Sequence, residues 1–322
     1  MESHVTANPL RVLSKDVGAI DLHVREGRFQ RSLSFITAMS SLLSGAEVLY
    51  EHYRGSYSQR VMYSPIILSP LLMVAGLWAM FSRRAARRLL PISSAITIVD
   101  GIVGFGFHVR GIKRKPGGWR NPVANIIMGP PIFAPLLFAT SGCLGVVASL
   151  LRREDDPTHD PRPNILQPRS ALRHLLPRAI LAEGLTIRQE VREGRFQQGL
   201  ALATAVSALF SGIEALYSHY KNNFKYAGLQ WSPIVLTPIL MAGGVGAAFS
   251  RTIARTLLPA ASLIALIDGA VGTFFHVRGV GRRPGGFRAP VYNIIYGPPV
   301  FAPLLFASSG FLGLLASLLR RA

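Results

Sequence analysis

Residues 101–139, "GIVGFGFHVRGIKRKPGGWRNPVANIIMGPPIFAPLLFA", return at residues 269–307 as "GAVGTFFHVRGVGRRPGGFRAPVYNIIYGPPVFAPLLFA". About 28 of the 39 paired positions are identical at a shift of 168. Working outward, "GAEVLYEHY" at Gly45 returns as "GIEALYSHY" at Gly212, and "VREGRFQ" at Val24 returns at Val191, both at a shift of 167. Self-similarity over such a long period marks a tandem duplication, so one structural unit is written twice.

The repeated unit is built from long apolar runs. Eight of them extend from Leu33 to Tyr50, Ser64 to Ser82, Leu89 to Phe107, Asn125 to Leu151, Leu200 to Tyr217, Ser232 to Ser250, Leu257 to Phe275 and Asn293 to Leu319. Each is long enough for a helix that crosses ~30 Å of hydrocarbon, where the backbone must satisfy its own hydrogen bonds. The expected fold is therefore an all-α integral membrane protein with eight transmembrane helices. These form two tandem four-helix repeats, and the even number of spans relates the copies by a pseudo-two-fold axis along the membrane normal. Three prolines in "GPPIFAP" and "GPPVFAP" require the fourth helix of each copy to start late or to kink. The first repeat, with an N-terminal interfacial segment, takes residues 1–153, a cytoplasmic Pro- and charge-rich linker takes 154–177, and the second repeat takes 178–322.

Half of the 322 residues are apolar and only 16% are charged, yet the net charge is +19. Because the positive charges lie between apolar runs, their anionic partner is a lipid surface, and nucleic acid is excluded. Lysine and arginine number 22 on the side that holds both termini and the linker, and 13 on the other. The positive-inside bias places the termini and linker in the cytoplasm and the chain in the cell (inner) membrane, with "SRRAARR" after Phe81 as the strongest local signal. The first 32 residues hold no apolar stretch like a secretory signal, so the first span serves for insertion. The single cysteine, Cys143, rules out an intramolecular disulfide.

The polar residues that both copies keep inside the apolar runs are the candidate site. Glu47 pairs with Glu214 and Asp100 with Asp268 as proton or ion sites, since a carboxylate in a spanning helix is costly unless it is paired, protonated or functional. His52 and His219 end the first helix of each copy, and His108 and His276 end the third. In an up-and-down bundle these imidazoles stand diagonally at one membrane level, ~11 to 14 Å apart, and can ligate a metal. Gly45 and Gly104, with Gly212 and Gly272, fall on the faces of their histidines one or two turns deeper, a flat surface suited to haem b. Arg110, Arg114, Arg278 and Arg282 are placed to neutralise its propionates. Glu47 and His52 point ~140° apart on a straight helix, whereas Asp100 and His108 share a face, an arrangement that also suits a proton path or a quinol.

Three functions follow. The first is a redox membrane subunit, with bis-histidine haem or a quinol site and a partner protein on the outer face. The second is a proton- or cation-coupled transporter or channel that uses the intramembrane acids. The third is a non-catalytic scaffold whose basic outer loops hold anionic lipid or an acidic partner, with the histidines and aromatics as interfacial anchors. No nucleophile elbow, P-loop or dinucleotide fingerprint points to a stand-alone enzyme.

Overall fold

The computed structural model describes residues 9–157, 178–225 and 227–321. Most of the linker expected at 154–177 therefore lies outside the described residues. Among the described residues the chain is all helical, with no strand. The first half contains α1 (Pro9–Arg25), α2 (Gln30–Arg54), α3 (Ser64–Phe81), α4 (Leu90–Lys113), α5 (Pro122–Ile127) and α6 (Ala134–Leu150). The second half contains α7 (Arg178–Arg192), α8 (Gln197–Lys221), α9 (Ala227–Gln230), α10 (Ser232–Phe249), α11 (Arg251–Arg255), α12 (Leu257–Gly281), α13 (Pro290–Ile295) and α14 (Ala302–Leu318).

Six helices are long and apolar enough to cross a membrane, namely α2, α3, α4, α8, α10 and α12 with their flanking turns, and they mark the chain as a membrane protein. The fourth apolar run of each half is broken. Residues 125–151 divide into the end of α5, an irregular segment at 128–133, and α6, whose 17 residues rise only about 25 Å. The same break separates α13 from α14. Proline is the cause, since Pro130 and Pro131 carry no N–H to donate, while Pro135 suits the first turn of α6, where an N–H would be unpaired anyway.

In the first half α2 packs along α3 and α6, and α4 along α6 and α3, so α2 and α4 stand at opposite corners of the bundle. The second half repeats this with α8, α10, α12 and α14. Small residues let the helices approach closely, which is how apolar helices associate when lipid tails compete for their side chains. A side chain on Gly76 of α3 would meet the Ser34 carbonyl of α2 at 2.7 Å, and one on Gly142 of α6 would meet the Ser94 carbonyl of α4 at 2.6 Å. Hydroxyls pair across helices, as in half-buried Ser40 with buried Ser141 at 2.8 Å and buried Ser207 with Ser309 at 2.7 Å. The outward faces are apolar instead: Trp78 and Phe81 of α3 are 58% and 82% exposed, and Ile92 and Val99 of α4 are each 60% exposed. Such an inside-out surface is suited to lipid contact.

A core at one end joins the halves, with Val24, Leu33, Leu72 and Leu151 on one side and Val191, Leu200, Leu258 and Leu315 on the other. Here α1 touches α14 and α7 touches α6. The helices α1 and α7 thus contribute buried residues where they end, Val24 and Val191, while Val17, Ile20 and Ile187 stay exposed. At the crossing, Gly27 and Gly194 sit in a left-handed conformation with their backbones so close that a side chain on either would strike the other strand at 2.6 Å. The first linker residues fold back on the first half. The Glu154 carboxylate accepts from the Arg31 and Ser32 N–H groups, capping α2, and Asp156 accepts from Arg83 at 2.8 Å and from the Arg153 N–H at 2.9 Å.

Burial alone would raise the Asp156 carboxyl, but the hydrogen bonds from Arg153 and Arg83 and the charges of Arg83 and Arg192 hold it below its ordinary value. The stability this lends is complete above the usual carboxylate range and is lost as pH falls through the lowered pKa. Thermal melts in detergent should therefore show a loss of stability on acidification below about pH 4 that is smaller in Asp156→Asn, a variant already less stable at neutral pH.

Candidate functional site

The residues singled out in the sequence separate into two sets. The first comprises the histidines and aspartates. His52 at the end of α2 hydrogen-bonds through Nδ1 to the Met62 carbonyl at 2.7 Å, and His219 bonds to that of Gln230 at 2.7 Å. His108 at the end of α4 bonds to the Pro131 carbonyl at 2.6 Å, and His276 to that of Pro299 at 2.6 Å. A carbonyl oxygen only accepts, so Nδ1 must carry the proton, which leaves Nε2 of each neutral imidazole with a free lone pair. The same bond fixes each ring's orientation, as a hydrogen-bonded partner does for a ligating or proton-exchanging histidine.

Asp100 lies two turns deeper on α4, within electrostatic reach of His52, and the Ser64 hydroxyl at the start of α3 sits between it and the Val61 carbonyl. Asp268 stands in the same relation to His219 and Ser232. His52 is in turn within electrostatic reach of His108, and His219 of His276. Each half thus gathers two imidazoles, one carboxyl and one serine from its α2/α3/α4 or α8/α10/α12 helices. A concavity of about 430 Å³ opens beside the second of these clusters, between α10 and α12. Its walls are Val235, Leu236, Ile264, Ile267 and Val271, and its polar residues are Asp268 and Ser232. Because Val235 and Ile267 are more than half exposed on the apolar outer surface, the concavity faces the lipid side of the helices.

Glu47 and Glu214 form the second set and face elsewhere. The Glu214 carboxylate accepts from the Phe133 N–H at 2.9 Å, where the broken segment of the first half enters α6. Glu47 meets the Phe301 N–H at the start of α14. Beside them the Tyr217 hydroxyl donates to the Gly129 carbonyl at 3.1 Å, and that of Tyr50 to the Gly297 carbonyl at 3.4 Å. Phe133 stacks on Phe210 of α8 at 4.7 Å. The broken segment of each half is therefore held by the other half.

The glycines expected to floor a haem site are covered. A side chain on Gly45 would meet Ser69 at 2.3 Å, and one on Gly212 would meet Thr237 at 2.1 Å. Gly104 lies against Pro135 and Gly272 against Pro303. These faces are helix contacts and leave no flat surface for a macrocycle, so the arrangement does not fit haem b. No group of three or more histidine, cysteine, aspartate or glutamate side chains gathers as a metal site among the described residues. Arg110, Arg114, Arg278 and Arg282 are exposed and form no ion pair among the described residues. Sequence reading missed Ser64 and Ser232, although "SPIILSP" and "SPIVLTP" repeat, and missed Tyr50 and Tyr217, which lie within the quoted repeats.

Two outcomes follow from this geometry. In ¹⁵N-histidine spectra recorded at pH 8, above the ordinary imidazole pKa, His52, His108, His219 and His276 should carry the proton on Nδ1, with Nε2 unprotonated. Glu214→Leu, which leaves the Phe133 N–H buried and unpaired, should destabilise the detergent-solubilised protein by about 1–3 kcal/mol. Glu214→Gln, whose amide oxygen still accepts, should cost less in the same melt. No family model, no curated protein and no solved structure matches this chain.

Proposed function

We propose that the chain is a quinol-binding membrane subunit of eight spans, built as two four-helix repeats about a pseudo-two-fold axis along the membrane normal. The short α6 and α14 complete the fourth span of each repeat together with the irregular segments before them. In this reading the termini and linker are cytoplasmic and the membrane is the inner one, as the lysine and arginine distribution favours.

One observation carries the quinol reading: an apolar concavity on the outer surface is lined by Asp268 and Ser232 among aliphatic side chains, with an Nδ1-fixed histidine in electrostatic reach of Asp268. A lipid-soluble head group enters such a site from the side, and its ring packs on Val235, Ile264 and Ile267 while its hydroxyl meets Asp268. Oxidation of a quinol releases two protons and two electrons. Asp268 and the free Nε2 of His219 are the acceptors for the protons, and a partner redox protein takes the electrons. Asp100, His52 and His108 serve the same role in the first repeat.

A second reading is favoured by the broken segments at matched positions, which in membrane carriers line substrate sites. In that case Asp100 and Asp268 bind a proton or cation during transport, and flux in liposomes collapses in Asp100→Asn.

Trp231, next to Ser232, is a built-in reporter. Titration of a short-chain quinol into nanodisc-embedded protein should quench its fluorescence saturably, and Asp268→Asn or His219→Ala should weaken binding by about tenfold, as expected for loss of one buried hydrogen bond to a polar head. Saturable quenching unaffected by both substitutions, or none at all in the wild type, would remove the quinol reading.

A further inference from the structure

The end of the molecule that carries the four histidines has an unusual charge balance. Segments 51–63, 108–124, 218–231 and 276–292 hold 13 of the 35 lysines and arginines, and the only acid among them is Glu51. At the opposite end several arginines have an acidic partner: Arg25 with Asp21 at 2.8 Å, Arg28 with Glu26 at 2.9 Å, Arg31 with Asp155 at 2.9 Å and Arg83 with Asp156 at 2.8 Å. At the histidine end, the one ion pair among the described residues is Arg54 with Glu51, at 3.9 Å.

The two loops that carry most of this charge are rigidly built. In each, a buried asparagine amide clamps the turn: Asn125 Nδ2 donates to the Pro116 and Gly118 carbonyls at 3.0 and 2.8 Å, and Asn293 Nδ2 to those of Pro284 and Gly286 at 3.0 and 2.8 Å. The glycine pairs of both turns have positive φ, 78° and 49° in each, a conformation that a side chain would strain. The fold thus fixes the shape of each loop, and among the described residues no acidic side chain pairs with its cations.

The surroundings of these cations are apolar. Trp119 and Phe287, on the turns themselves, are 44% and 62% exposed, and Val123 and Val291, which open the short helices after them, are 69% and 70% exposed. Aromatic and aliphatic side chains displayed beside arginine belong at the level where hydrocarbon gives way to head groups. We infer that each loop is a binding site for the phosphate of an anionic phospholipid, with Arg110 and Arg114 in the first half, and Arg278 and Arg282 in the second, as its cations. Guanidinium groups suit this task because they pair with phosphate through two parallel hydrogen bonds. The inference is independent of the quinol reading, since it uses none of the histidines or carboxyls.

Native mass spectrometry of the full chain, released from micelles doped with equal amounts of phosphatidylglycerol and phosphatidylcholine, tests it. The wild type should retain the anionic lipid with about a tenfold preference, and the preference should vanish when Arg110, Arg114, Arg278 and Arg282 are all changed to glutamine. Arg87→Gln with Arg88→Gln, on exposed arginines at the other end, should keep it. If the fourfold variant fails to fold, tryptophan fluorescence of the wild type in vesicles decides. Emission from Trp119 should shift with phosphatidylglycerol content at low salt, and the shift should shrink at high salt. Equal retention of the two lipids, an unaltered preference in the fourfold variant, or a salt-insensitive shift would overturn the inference. Displacement of the lipid by millimolar inorganic phosphate would overturn the lipid assignment in favour of a soluble phosphate. Tighter capture of a polyglutamate peptide than of either lipid would do so in favour of an acidic protein.

Discussion

The reciprocal hold of each half on the other's broken segment is the constraint from which the rest follows. A proline-rich break inside an apolar helix leaves backbone N–H and C=O groups that lipid cannot satisfy, at several kcal/mol each. Here Glu214 and Tyr217 take the Phe133 N–H and the Gly129 carbonyl, and Glu47 and Tyr50 take their counterparts at Phe301 and Gly297. The intramembrane glutamates thus have a structural partner at the start of a helix, where the exposed N–H groups and the helix dipole favour a carboxyl. The break in turn frees the Pro131 and Pro299 carbonyls to orient His108 and His276. One irregular segment therefore links the joint between the halves to the chemistry of the histidine cluster.

Much of the architecture was legible because membrane helices announce themselves by length and apolarity, and six of the eight runs became helices long enough to span. The two that fell short, 125–151 and 293–319, were flagged by their prolines, but the place of the break was set by tertiary partners that a linear reading cannot see. The diagonal placement of α2 and α4 followed from the chain order of an up-and-down bundle. The site was legible in part. Helical spacing separated Glu47 from His52 and put Asp100 on the face of His108, yet it could not show that Glu47 turns toward the other half. It also misread the glycines, because a helical wheel shows which face a glycine occupies but not whether Ser69 or Pro135 already fills that face.

The two sets of polar residues have different partners and meet only at the irregular segment, where Pro131 accepts from His108 and lines the void beside Glu214. The histidine and aspartate clusters stand within each half and, in the second, beside a concavity on the outer apolar surface. The glutamates and tyrosines reach from one half to the other, and Glu214 and Tyr217 line a void of only about 10 Å³, too small for more than a water molecule. The residues that hold the halves together are thereby different from those of the histidine and aspartate clusters, although both sets occur in both halves of the sequence.

The mutual capping also bears on why the two similar halves are carried on one polypeptide. A lone four-helix half would present both an orphaned break and the glutamate and tyrosine that fit such a break, so its natural mate would be a second copy of itself. Joining the two in tandem turns that bimolecular encounter into an intramolecular one at high effective concentration. It also allows the two sides to differ: where the first half has Glu51 and Arg54, the second has Ser218 and Lys221.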